Sequence, residues 1–388
     1  MRKLFLLFFS LANIAHAAPY IPKDGNAVIE QLPRRADAAQ SELRSLRAQL
    51  SSRPQDLALA TSLAQRYIGL SRSETDPRYL GYAQAALAPW WRQAAPPVPV
   101  RLLRATILQS THHFGDALQD LDAVIAQQPA NAQAWLTRAT VLTVQGDYEK
   151  ATASCARLSA LTTQLVTVTC IANVAGVTGR AAKSEQLLNL TLERSAGTAP
   201  ELEHWALSLL AEMAARRGNA TLAETRFKQA LAQQPRDSYL LGAYSDFLLD
   251  QRRAPEVITL LKDQQRIDAL LLRQALAMQA VPGQETALKA ASAELAARFN
   301  AAMQRGDTVH QREQARFALF LQRDIAGALL LAQKNWVIQK EAADMRILLE
   351  AAVAARDRAA AQPVLAWIKS NHVEDVALQA LVKKAGAL

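Results

Sequence analysis

Apolar and small positions recur along this chain at a fixed distance. Phe114 and Tyr148 stand 34 residues apart, as do Ala117 and Ala151, and Ala105 and Ala139. A further copy carries Gly179, preceded by Ala172 and followed by Ser184. Another holds Ala211, Gly218, Ala223, Phe227, Ala230 and Pro235, and a fifth holds Ser245, Val257 and Leu261. A period of this length points to stacked helix pairs. Small residues let the two helices of a pair approach closely, and large ones fill the gap to the next pair. Proline ends the second helix because it removes a backbone donor and clashes with the preceding turn. One pair cannot bury both of its faces, so neighbours must stack.

The period places core repeats at 98–131, 132–164, 165–199, 204–237 and 238–271. Before them, 55–97 reads as a degenerate pair, Leu57 to Leu70 and Pro77 to Trp91, closed by the Pro-rich joint Arg92 to Val100. A charged helix, Ala36 to Leu50, sits within a capping segment at 18–54. Beyond the core, 272–308 forms helices with breaks at Val281 to Glu285 and at Gln304 to Asp307, and fits the period poorly. Residues 309–388 resume it as two degenerate pairs and a cap: His310 to Leu331 and Asp344 to Trp367, around QRD and ARD turns that lack Gly. The expected fold is all-α. Only 14 Gly and 15 Pro in 388 residues agree with helix nearly throughout.

This pattern resembles the tetratricopeptide (TPR) repeat. In register, Trp135 stands at repeat position 4, Ala105 and Ala139 at 8, and Ala117 and Ala151 at 20. Leu121 and Cys155 fall at 24 and Pro129 at 32, while the repeat at 204–237 matches at Ala211, Ala223, Phe227, Ala230 and Pro235. The resemblance implies a right-handed superhelical solenoid whose first helices line a concave groove. Carried over by register, the lining falls on Thr106, Gln109 and Ser110, on Gln133, Thr140 and Thr143, and on Thr169 and Asn173. Trp205, Glu212 and Arg216 follow, then Tyr239, Asp246 and Asp250. The early part is rich in hydroxyls and amides, and the later part adds aromatics and acids. Such a lining suits an extended peptide, or a neutral glycan stacked on a ring. The cluster of Lys and Asn with which some TPR domains clamp a terminal carboxylate is missing.

The first residues change the setting. Arg2 and Lys3 precede an apolar stretch, Leu4 to Ile14, and an Ala15-His16-Ala17 cleavage site, which together read as a secretory signal peptide cleaved after Ala17. The expected location is the periplasm, an oxidising compartment where a disulfide persists. Cys155 and Cys170 lie on successive packed helices in the repeat register and are expected to bond, closing a loop of 15 residues. The formal charge is +9. From Arg34 to Arg104 eleven Arg face five acids, so most of the excess sits in the first quarter. In an exported chain this balance fits an anionic envelope surface rather than nucleic acid.

Catalytic patterns are nearly lacking. His112 and His113 fall in the turn of a repeat, with no Cys or acid at metal spacing. The Gly-rich run Gly176 to Ser184 has Ala182 before its Lys and no strand ahead of it, so it is not a phosphate loop. His204, His310 and His372 are isolated, and Asp120 and Asp122 read as solvated surface groups on different helix sides. No metal or cofactor is implied. The expected function is a non-enzymatic interaction scaffold that binds a protein segment, in envelope assembly, secretion or complex maturation. The alternative is a glycan-binding accessory of a polysaccharide-export or cell-wall machine, using Trp205 and Tyr239 as stacking rings.

Overall fold

The computed structural model describes residues 38–195, 197, 199–307 and 309–387. The signal peptide, its cleavage site and the first part of the capping segment lie outside the described residues. Helix α1 (Ala38–Ser52) leads into helix pairs: α2 (Leu57–Ser73) with α3 (Arg78–Ala86), then the short α4 (Ala88–Trp91). Next come α5 (Val98–Ser110) with α6 (Phe114–Gln127), and α7 (Ala132–Gln145) with α8 (Tyr148–Arg157). They are followed by α9 (Gln164–Ala175) with α10 (Ala181–Arg194), and α11 (Pro200–Arg216) with α12 (Ala220–Gln233). The series continues with α13 (Ser238–Asp250) and α14 (Ala254–Leu260), then α15 (Asp268–Gln279) and α16 (Glu285–Gln304). Last are α17 (Gln311–Phe317) with α18 (Ile325–Ile338), α19 (Ala342–Ala355) with α20 (Arg358–Ser370), and α21 (Val376–Gly386). No strand occurs among the described residues.

Local chemistry explains the punctuation. Asp56, Asn131, Asp147, Thr163, Asn219 and Asp237 each cap a helix by accepting a backbone N–H bond from its first turn. Gly146 and Gly218 close the turns after α7 and α11 at φ 82° and 79°, where a Cβ is disfavoured. The corresponding turns after α17 and α19 carry Arg323 and Arg356 at φ 60° and 54°. In the stretch 272–308, α15 and α16 pack as a pair, and α16 runs to 20 residues. That length sets it off from the 34-residue period.

The core is a chain of small clusters shared between neighbours. Ala105, Ala117, Ala151, Ala211, Ala223 and Ala230 are completely buried, as are Leu121 and Cys155. First helices also touch first helices in succession, from α2 through α5, α7, α9, α11 and α13 to α21, forming a continuous inner wall. Cys155 and Cys170 are bonded, with Cα atoms 5.6 Å apart, joining α8 to α9.

Asp120 corrects the surface reading given above. It is only 6% exposed, and Arg104 grips it through two hydrogen bonds of 2.6 and 2.7 Å. The guanidinium also reaches the carbonyls of Trp91 and Gln93, so this pair anchors the Pro-rich joint to α5 and α6. Asp122 does face solvent, paired with Arg138 at 2.7 Å. The helical side alone could not separate the two cases, because the partner comes from the other helix of the repeat.

The array also winds back on itself. The Lys340 N–H, ahead of α19, donates to the Val144 carbonyl at the end of α7 at 2.8 Å. Ala181 N–H, at the start of α10, donates to the Glu374 carboxylate at 3.2 Å. Thr75 donates to Ser238 at 2.8 Å, and Arg266 reaches the Glu74 carbonyl. Trp367 lies over Gly146, His372 over Gly179 and Val376 over Gly218. Turns of the early pairs therefore meet the starts of first helices five or six pairs further on.

Candidate interaction groove

The residues placed by register on a concave face all lie on α5, α7, α9, α11 and α13, the early part of the inner wall. Their hydroxyls share one arrangement. Thr106, Ser110, Thr140, Thr143 and Thr169 each donate to the carbonyl four residues back, at 2.7 to 3.1 Å. Their protons are thus used within the helix, and what remains outward is acceptor capacity. Thr169 is fully buried and presents nothing to a ligand. Gln133 is exposed and donates to Thr137, while Gln109 and Asn173 are half-buried.

The later part is denser in charge. Trp205 is half-buried against the cluster containing Tyr148 and Val174. Tyr239 is 65% exposed, and its hydroxyl donates to Glu212 at 2.9 Å. The Glu212 charge holds the Tyr239 hydroxyl well above the usual range. Burial in turn raises Glu212 despite Arg216, which stands 3.7 Å away. Asp246 lies between Arg273 at 2.6 Å and Arg316 at 3.0 Å. Burial pushes its carboxyl up, but the two guanidinium groups hold it below the ordinary value. Asp250 is gripped by Arg346 through bonds of 2.7 and 2.8 Å.

These arginines are the members of the wall that register did not supply. Arg316 and Arg346 come from α17 and α19, 70 and 96 residues beyond their acids. The only signal in the sequence is the i, i+4 spacing of Asp246 and Asp250, which places both on one helix face. A second network lies nearby: Arg312 contacts Glu313, Glu341 and Asp344, and Asn335 donates to Asp344 at 2.8 Å. Burial raises Asp344 to about 6 even with Arg312 beside it.

His112 occupies its turn at φ 61°, with its ring stacked on Phe114 at 5.3 Å. Burial lowers its pKa to about 4, and the Arg312 charge acts in the same direction. His204 contacts Asp237 at 3.0 Å. No cluster of three or more metal-ligating side chains occurs among the described residues. No helix among them is long and apolar enough to cross a membrane.

Period, pairing and inner wall together define the class: an all-α solenoid of tetratricopeptide-type helix pairs, a fold suited to interaction scaffolds. No family model matches the chain, and no curated protein matches it. Among solved structures it is similar to a tetratricopeptide repeat protein from Parabacteroides merdae, at 16% identity and a TM-score of 0.35 over 74% of this chain and 98% of that one. It is also similar to the Cut9-Hcn1 hetero-tetramer of the APC/C, at 11% identity and a TM-score of 0.38 over 89% and 52% of the two chains. A human IFIT1 dimer with m7Gppp-AAAA gives 12% identity and a TM-score of 0.41 over 86% of each. Likeness of this degree carries no inference about ligand or partner.

Proposed function

We propose that this chain is an exported, periplasmic, non-enzymatic scaffold that receives a protein or peptide segment along the inner wall of α5 to α13. The observation that carries the reading is the wall itself: successive first helices touch without a break and turn acceptor groups, amides and two aromatic rings along one path. Acceptor-only hydroxyls suit the N–H groups of an extended chain. The Cys155–Cys170 bond agrees with an oxidising compartment. Exposed Arg44, Arg47 and Arg72 on α1 and α2, with Arg92 just after α4, offer a contact for an anionic envelope surface. Roles in envelope assembly, secretion or complex maturation all fit such a scaffold.

A glycan reading is favoured by one observation, the exposure of the Tyr239 ring on the wall that also carries Trp205. Crosslinked capture from a native envelope fraction, with Ala18 to Leu388 as bait, separates the two. A stoichiometric protein lost when Gln133, Thr140 and Asn173 become Arg supports the scaffold. Retention of glycan that disappears in Trp205→Ala/Tyr239→Ala, with protein partners unchanged, supports the alternative. Neither result above a control solenoid refutes both.

A further inference from the structure

The closure of the superhelix is made by unusual contacts. Neighbouring pairs bury whole helix faces against each other, whereas the seam between successive turns of the superhelix joins loops to loops. Its later half holds one backbone bond, Lys340 to Val144, a bond from the Tyr148 hydroxyl to the Lys340 carbonyl, one charged bond, Ala181 to Glu374, the packing of Ile338 and Trp367 on clusters of the early pairs, and three side chains set over turn glycines. The glycines make that approach possible. A Cβ at position 179 would stand 2.8 Å from His372, and one at 218 would stand 3.2 Å from Val376.

The seam also strands polar atoms. His112 Nδ1, where the turn after α5 meets the start of α17, is buried with no hydrogen-bond partner among the described residues. Nε and Nη2 of Arg216 are likewise buried and unpartnered, on the wall that faces Asp375 of the returning chain. A buried donor or acceptor left unpaired costs free energy that exposure to water recovers. Stacking between neighbouring pairs does not depend on the seam, since a solenoid is stabilised repeat by repeat.

We propose that the superhelix opens along this seam while every helix stays folded, so that the ring is a releasable latch over the inner wall. Opening wets His112 and Arg216, and separates the returning α19–α21 segment from the turns at Gly146, Gly179 and Gly218. It gives a lateral entry to Trp205, Glu212 and Arg216 that the closed ring restricts. This mobility is a property of the fold and stands whether the occupant is a peptide or a glycan.

Two measurements on the full mature chain test it. Hydrogen exchange read by mass spectrometry compares the seam amide of Lys340 with that of Leu348 inside α19. The Lys340 amide is expected to exchange about a hundredfold faster or more, as sub-global opening requires. Spin labels on Glu149→Cys and Ala343→Cys, both exposed and flanking the Val144–Lys340 bond, report the seam distance by pulsed dipolar spectroscopy. The native cysteines are bonded to each other and take no label. Two distance populations are expected, the longer one growing when Glu374→Ala removes the Ala181 bond. A single population unmoved by Glu374→Ala, or a Lys340 amide protected as well as Leu348, overturns the latch.

Discussion

Replacing Asp120 with Ala would leave the Arg104 guanidinium buried with half of its partners gone. The side chains of Arg104 and Asp120 are only 14% and 8% exposed, and two charge-assisted bonds join them. The carbonyls of Trp91 and Gln93 continue to accept from Nη1, but Nε and Nη2 lose their acceptor. Breaking a buried pair from one side costs about 3–5 kcal/mol, because a charge is stranded rather than an attraction lost. Protection of the α5 and α6 amides against hydrogen exchange should therefore fall by about two to three and a half orders of magnitude. The Arg104→Met/Asp120→Leu pair removes both charges at similar bulk and should restore most of that protection. Arg66 and Glu42 provide the comparison, a two-point pair that is 54% and 49% exposed. Glu42→Ala should cost at most about 1 kcal/mol, since water screens and replaces the contact. A loss below tenfold for Asp120→Ala, or a double variant as weak as the single one, would refute the reasoning.

Three further outcomes are expected. Arg323→Gly and Arg356→Gly should each raise thermal stability by up to about 1 kcal/mol, since both turns hold a side chain at positive φ; a lowered melting temperature for both would count against it. Cys155→Ala/Cys170→Ala should lower unfolding stability by about 3 kcal/mol, the loop-entropy value for 15 residues, as read by urea denaturation. The pH dependence of stability between 7 and 4 should hold two opposed contributions. Asp344 has its pKa raised to about 6, so the folded state binds its proton more tightly and gains stability as pH falls through that value. His112 has its pKa lowered to about 4, so the unfolded state takes the proton first and stability is lost as pH falls below about 6.5. Urea midpoints should therefore rise on acidification in His112→Asn and fall in Asp344→Asn relative to the parent; identical profiles in all three proteins would sink the assignment.

Much of the architecture can be read from residues whose role is local. Ala105, Ala117, Ala211 and Ala223 sit where two helices of one pair touch, so their spacing records the pairing directly. The Cys155–Cys170 bond follows from the same register, because successive helices set its reach. The interior of the groove was less accessible to such reading. Thr169 is placed on the lining by its repeat position yet is covered by its neighbours, and the lining hydroxyls spend their protons on their own helices. Arg316 and Arg346 meet Asp246 and Asp250 only because of superhelical pitch, which sums small rotations over several pairs and leaves no periodic mark. Asp120 fell between the two cases: its partner is 16 residues away, inside one repeat, but a helical wheel does not show it.

The seam has a consequence for the order in which the chain assembles. Contacts within and between neighbouring pairs span a few tens of residues and can form as soon as each pair exists. The closing contacts link residues far apart in the chain, Thr75 with Ser238 at 163 positions and Ala181 with Glu374 at 193. Those pairings carry the loop-closure entropy of the whole array and form only after the last helices are made. During synthesis the turns at Gly146, Gly179 and Gly218 therefore lie uncovered until α20 and α21 arrive. A chain truncated before Trp367 would keep the earlier helices and the Lys340–Val144 bond but lose the cover over Gly146, Gly179 and Gly218, so the residues from Trp367 onward complete the ring.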